Sequence, residues 1–130
     1  MDKAQALHLF WSSFGLTAID ENSDYDSKAR DIFRDKNRYI TYEVGESNFL
    51  GPQTLTANLW FRETSWAAIE AKAKAIAAFI GYGGKTFAIE GGFLRIMLPL
   101  NTTIYRRMPA EDNTWRRILI TVAVDFLTAT

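Results

Sequence analysis

Apolar residues recur with helical spacing at the start of the chain. They are Leu7, Phe10, Trp11 and Phe14, which stand at i, i+3, i+4 and i+7. Asp2 is a good N-cap residue, Gln5 follows three positions later as in a capping box, and Gly15 is typical of a helix end. The pattern predicts a short amphipathic helix.

A second helix is predicted for residues 66–80, where alanine is frequent and one stripe is apolar. The stripe consists of Trp66, Ile69, Ala73, Ile76 and Ile80. The opposite face carries the small residues Ala67, Ala71, Ala75 and Ala78. Such a face either reflects helix propensity on an exposed surface or lets another subunit approach closely.

Five segments have the alternation or the β-branched and aromatic content of strands. They are residues 38–44, 55–63, 85–90, 93–98 and 115–127. Gly51–Pro52 is expected to turn the chain between the first two strands, and Gly91–Gly92 to form a tight hairpin between the next two. The last segment places a run of apolar side chains on one face: Ile118, Ile120, Val122, Val124 and Phe126.

The resulting order, α-β-β-α-β-β-β, predicts an α+β domain. We expect a mostly antiparallel sheet of about five strands, with the two helices packed on one face. A chain of 130 residues with 48% hydrophobic content suits one domain, residues 1–130. Residues 20–38 are dense in both charges and predict a solvated loop that holds at most one helical turn.

Charge and composition exclude several classes of function. Lys plus Arg equals Asp plus Glu at 15 each, so the whole chain lacks the positive charge that drives strong non-specific binding to phosphate backbones. The absence of cysteine excludes thiol nucleophiles, disulfides and thiolate metal sites. No segment approaches the roughly 20 apolar residues of a membrane span, so we expect no membrane partner.

The sequence offers little catalytic chemistry. "GYGGKT", residues 81–86, ends like a phosphate loop but lacks the first glycine of that motif, and it follows a helix instead of preceding one. His8 is the only histidine and flanks the apolar stripe of the first helix, where a packed position is a better interpretation than a zinc ligand. We therefore expect no enzyme activity, no cofactor and no metal.

Two arginine pairs flank a turn in "YRRMPAEDNTWRRILI", residues 105–120. The charged residues of this stretch are Arg106, Arg107, Glu111, Asp112, Arg116 and Arg117. Arg116 and Arg117 must point to opposite faces of a strand, and the acids between the pairs compete for the arginines. The stretch is either a charge-balanced hairpin end or a subunit interface, with direct DNA recognition the weakest of the three alternatives.

Several segments, taken in order, resemble the tail terminator (tail completion, or head–tail joining) proteins of long-tailed siphophages. They are "MDKAQALHLFWSSFGLTAIDENS", "YITYEV", "LTANLWFRETSWAAIEAKAKAIAAFI", "GGKTFAIEGGFLRI" and "RRILITVAVDFLTA". The resemblance spans most of the chain and lies in the order and spacing of these segments. None of them is a chemical motif.

The resemblance implies a structural virion protein, made in the bacterial host cytoplasm and located at the head-proximal end of the tail. Its subunits would form a ring, usually a hexamer in this family, that caps the tail tube and joins it to head–tail connector proteins. DNA would pass through the lumen without sequence recognition. The charged residues of the 105–117 stretch would then lie at a ring interface or near the lumen, with Arg106 and Arg107 in interfacial ion pairs. The alternatives are a head-completion or connector-associated protein and a small nucleic-acid-binding module.

Overall fold

A computed structural model describes residues 1–21, 37–45, 52–100, 102–110 and 113–128 of the chain. Within these ranges the chain forms two helices and seven strands. The helices are α1 (Lys3–Ser12) and α2 (Ala67–Ile80). The strands are β1 (Thr17–Asp20), β2 (Arg38–Tyr42), β3 (Gln53–Phe61), β4 (Lys85–Ile89), β5 (Gly92–Met97), β6 (Tyr105–Met108) and β7 (Arg116–Thr128). The α+β class is confirmed, and each predicted helix is present.

The strands form one mixed sheet in the order β1-β2-β3-β7-β5-β4, with β6 also paired to β7. Only β1 and β2 are parallel, and every other pair in the described ranges is antiparallel. The long strand β7 is central. One edge of β7 pairs with β3 from Arg116 to Val124. The other edge of β7 pairs with β6 in the first half of β7 and with β5 in the second half.

The prediction of five strands was wrong in number, because β1 and β6 were missed. Each has only four residues, too few for a clear alternation. In β6, Tyr105 lies opposite Ile120 and Met108 opposite Arg117 in a regular antiparallel ladder. Asp20, the last residue of β1, had been assigned to the charged loop 20–38. Most of that loop lies outside the described residues.

The hairpin between β4 and β5 turns one residue earlier than predicted. Ile89 pairs with Gly92, so the two turn residues are Glu90 and Gly91, and Gly92 belongs to the strand. Gly91 has φ +81°, a left-handed conformation that glycine adopts without strain. The predicted turn at Gly51–Pro52 includes a residue outside the described ranges.

Both helices contribute to a single core on one face of the sheet. Helix α1 begins with the predicted capping box, since the Asp2 carboxylate accepts from the Gln5 N–H at 2.8 Å and the Gln5 side chain accepts from the Asp2 N–H at 2.9 Å. The buried residues of the helices are Ala6, Leu7, Phe10, Trp11, Ile69, Ala73, Ile76 and Ile80. They pack against the buried face of β3 and β7, which consists of Leu55, Ala57, Leu59, Phe61, Ile118, Ile120, Val122 and Val124. The helices and the sheet thus bury their apolar faces against each other.

Candidate functional site

The β6–β7 hairpin distributes the four arginines over both faces of the sheet. Arg107 lies opposite Ile118 and Arg116 opposite Phe61, and these partners belong to the core, so both arginines are on the helix side. Arg106 and Arg117 alternate with them and are on the other side, which we call the outer face. Each Arg-Arg pair is therefore divided between two environments, and the four side chains do not form one basic patch.

On the helix side, Arg107 connects β6 to the first turns of α2. Its Nε donates to Glu70 Oε1 at 2.5 Å, and its guanidinium carbon lies 4.6 Å from the centroid of the Trp66 ring. The hydrogen bond from Arg107 lowers the pKa of Glu70 below its ordinary value. Arg107 thereby holds the start of the helix against the edge of the sheet.

Arg116 binds the segment that leads into the same helix. Its Nη2 and Nε donate to the Thr64 carbonyl at 2.7 and 3.1 Å, and its Nη1 donates to the carbonyls of Asn113 and Trp115. Its guanidinium carbon is also near the Trp66 ring, 5.4 Å from the centroid. A single guanidinium thus satisfies three backbone carbonyls around the hairpin end.

On the outer face, Arg117 belongs to a polar and aromatic network. Its Nε donates to Asn58 Oδ1 at 2.8 Å, and its guanidinium carbon lies 5.1 Å from the centroid of the Trp60 ring. Trp60 Nε1 in turn donates to Thr41 Oγ1 at 3.0 Å. Asn58 and Thr41, both buried, therefore each have a side-chain hydrogen-bond partner in this network.

Arg106 differs from the other three arginines. It is exposed on the outer face opposite Leu119. In the part of the chain that the structure describes, its side chain makes no ion pair or hydrogen bond. Of the four arginines, Arg106 is therefore the one whose charge is most open to another molecule.

Glu111 and Asp112, the acids predicted to compete for the arginines, lie outside the described residues. The described partners of the arginines are instead distant in sequence: Glu70, Trp66, Asn58 and Trp60. Sequence reasoning missed these residues because nothing local connects them to the hairpin. Recognising residues 105–108 as a strand would have supplied the alternation that separates Arg106 from Arg107.

An acidic edge lies at the other end of the sheet. Asp20 ends β1, and Glu21 follows it, with its backbone N–H donating to the Tyr42 carbonyl at 2.9 Å. Partial burial, together with the nearby carboxylates of Glu43 and Asp20, raises the pKa of Glu21, although Arg117 opposes this effect. Several carboxylates are therefore concentrated where β1 ends.

His8 makes a structural contact. Its Nδ1 is 2.9 Å from the Tyr42 hydroxyl, and burial raises the pKa of Tyr42 to about 12, so this hydroxyl stays protonated at neutral pH. Within the described ranges, no group of three or more His, Asp or Glu side chains is close enough to hold a metal ion.

No protein-family model, curated protein or solved structure matches this chain. Neither described helix has the length and apolar character that crossing a membrane requires.

Proposed function

We propose that this chain is a structural virion protein whose subunits form a ring at the end of a phage tail tube and join the tail to the head connector. The observation that carries the proposal is the resemblance to tail terminator proteins in the order and spacing of the segments. These segments coincide with folded elements: the longest one covers most of β3 and all of α2, and the next covers β4 and most of β5. The resemblance therefore extends over the parts of the chain that build the core.

The distribution of the arginines supports an assembly protein better than a nucleic-acid reader. A phosphate-binding surface needs several cations on one side, available to the ligand. Here Arg107, Arg116 and Arg117 bind groups of their own chain on two opposite faces. In the proposed ring, DNA passes through the lumen without sequence recognition.

In this proposal the arginines have separate roles. Arg107 and Arg116 fix the start of α2 to the β6–β7 hairpin, and Arg117 supports the outer face. Arg106 is the member of the predicted interfacial pair that contacts a neighbouring subunit.

A pull-down with two baits tests the proposal. Polymerised tail tube protein and purified connector are each immobilised and incubated with the wild-type chain. The proposal predicts that tube ends retain the chain at a ring-like ratio. Retention by the connector alone would instead favour a head-completion protein. DNA affinity that falls steeply with salt, without tube binding, would favour the nucleic-acid-binding module.

A further inference from the structure

Two short edge strands, β1 and β6, lie on opposite sides of the sheet at the same level, while the third edge strand, β4, lies beyond β5. One row of paired residues crosses the sheet from β6 to β1. It runs from Met108 to Arg117, Trp60, Tyr39 and Thr17. In the same way, each further residue of β6 shares a row with one residue of β1. β6 and β1 thus have four residues each and face outward from the two ends of the same four rows. In the described ranges, each of them has a strand on one side only.

The directions of the strands also match. β6 is antiparallel to β7, β7 to β3, and β3 to β2, whereas β1 is parallel to β2. β1 therefore runs opposite to β6. If the sheet continued from one copy into the next, β6 and the neighbouring β1 would form an antiparallel pair, which the hydrogen-bond geometry of strands favours.

The charges on the two edges are complementary on both faces. In the continued register, Arg106 would lie opposite Ile19 of the next copy on the outer face. Glu21 directly follows β1, and its N–H donates to the Tyr42 carbonyl, so with the alternation of β1 extended by one residue it would be diagonal to Arg106 on the same face. On the helix side, Arg107, whose Nε binds Glu70 of its own chain, would lie diagonal to Asp20 of the next copy and would add only a longer-range attraction. Diagonal neighbours in a sheet are about 7–8 Å apart, within reach of an arginine side chain.

The same charges disfavour the wrong pairings. Two β6 edges would bring arginines against arginines, and two β1 edges would bring carboxylates against carboxylates. Short, charged edge strands also resist non-specific aggregation. Of these three pairings, only that of β6 with β1 joins unlike charges, so the contact between these two strands selects its own orientation.

We infer that the sheet continues from one copy of this chain to the next by antiparallel pairing of β6 with β1, with Arg106 against Glu21 across the junction. This inference rests on the proposed ring and names the two surfaces that meet in it. The contact is heterologous, since each copy uses β6 on one side and β1 on the other, and such contacts close into rings when the rotation between copies allows.

Charge reversal tests the junction. Arg106→Glu and Glu21→Arg should each weaken association by about tenfold per contact, because attraction becomes repulsion. The double variant Arg106→Glu with Glu21→Arg should restore assembly. Lys74→Glu is the matched control, since it makes the same change of charge at an exposed position on α2 and should assemble like the wild type. Sedimentation, alone and with tail tubes, gives the ring fraction.

Disulfide cross-linking tests the register independently of charge. The chain has no cysteine, so the background is clean. Thr17→Cys with Met108→Cys places two thiols opposite each other across the junction, at the roughly 4.5–5.5 Å between Cα atoms that a disulfide accepts. Oxidation should give a covalent ladder on a non-reducing gel. Thr17→Cys with Thr86→Cys, which uses an exposed residue of β4, should give none.

The outcomes separate this inference from the proposed function. A ladder together with rescue by the double variant supports the junction. The junction would be overturned if rings or tube caps formed without a cross-linked ladder and Arg106→Glu gave the same ring fraction as Lys74→Glu. The proposed function would still stand in that case. A wild-type chain that neither associates with itself nor binds tubes would overturn both.

Discussion

Trp66 is the side chain on which the helix-side arginines converge. The guanidinium carbons of Arg107 and Arg116 lie 4.6 and 5.4 Å from its ring centroid, in the range of cation–π contacts. Arg107 adds the ion pair with Glu70, and Arg116 adds the hydrogen bonds to Thr64. These residues fix the start of α2 to the hairpin. On the opposite face, Arg106 is exposed, whereas Arg117 is partly buried.

The Glu70–Arg107 pair should make stability depend on pH in the acid range. The pKa of Glu70 is lower in the folded chain than its ordinary value. The pair therefore stabilises the fold at pH values above that ordinary pKa. The stabilisation should be lost as the pH falls through the lowered pKa. Urea unfolding of the wild type and Glu70→Gln should give curves that differ at pH 7 and converge at the acid end. A constant difference across this window would contradict the assignment.

Among the elements, the helices and β7 could be predicted most completely from the sequence. The apolar pattern in α1, α2 and β7 extends over enough residues to identify both its period and the buried face. The four-residue strands β1 and β6 could not be predicted, because their pairing depends on partners far away in the chain. The arginine contacts were missed for the same reason, although the division of Arg116 from Arg117 followed from strand alternation alone.

Helix α2 should tolerate substitution on one face only. Ile76 is fully buried between helix and sheet, so Ile76→Ala should lower the free energy of unfolding by about 2–5 kcal/mol. Ala75 is exposed, so Ala75→Gln should change the free energy of unfolding by only a few tenths of a kcal/mol, about the difference in helix propensity between the two residues. Chemical denaturation followed by circular dichroism measures both variants. Similar losses would mean that the helix is rotated from the described orientation.

The β4–β5 turn should require glycine at Gly91. At Gly91, φ +81° strains any other residue, while an added Cβ would meet only Phe126 Cζ at an ordinary 3.9 Å. Gly91→Ala should therefore cost about 1–2 kcal/mol through backbone strain. Gly83→Ala is the matched control, because Gly83 has no positive φ and open space around its Cα. Equal thermal stability of the two variants would show that the turn is not the one described.

At the scale of the whole molecule, the described part of the sheet has three edge strands, β1, β4 and β6, and two of them carry opposite charges, basic at β6 and acidic at β1. An α+β domain of this kind has one face covered by helices and can extend sideways. Head-to-tail extension of a sheet joins copies into a ring or a filament, according to the rotation between them. A ring fitted to a tail tube would use the edges for neighbouring subunits and leave other surfaces for the tube and the connector.

Arrest of tube growth tests the proposed function most directly. Tail tube protein is polymerised with and without the wild-type chain, tube lengths are measured by electron microscopy, and bound mass is measured by light scattering. We predict shorter tubes whose ends carry a ring of the chain at a fixed ratio, and no further growth from those ends. Tubes of unchanged length, with no chain at their ends at any concentration, would contradict the proposal.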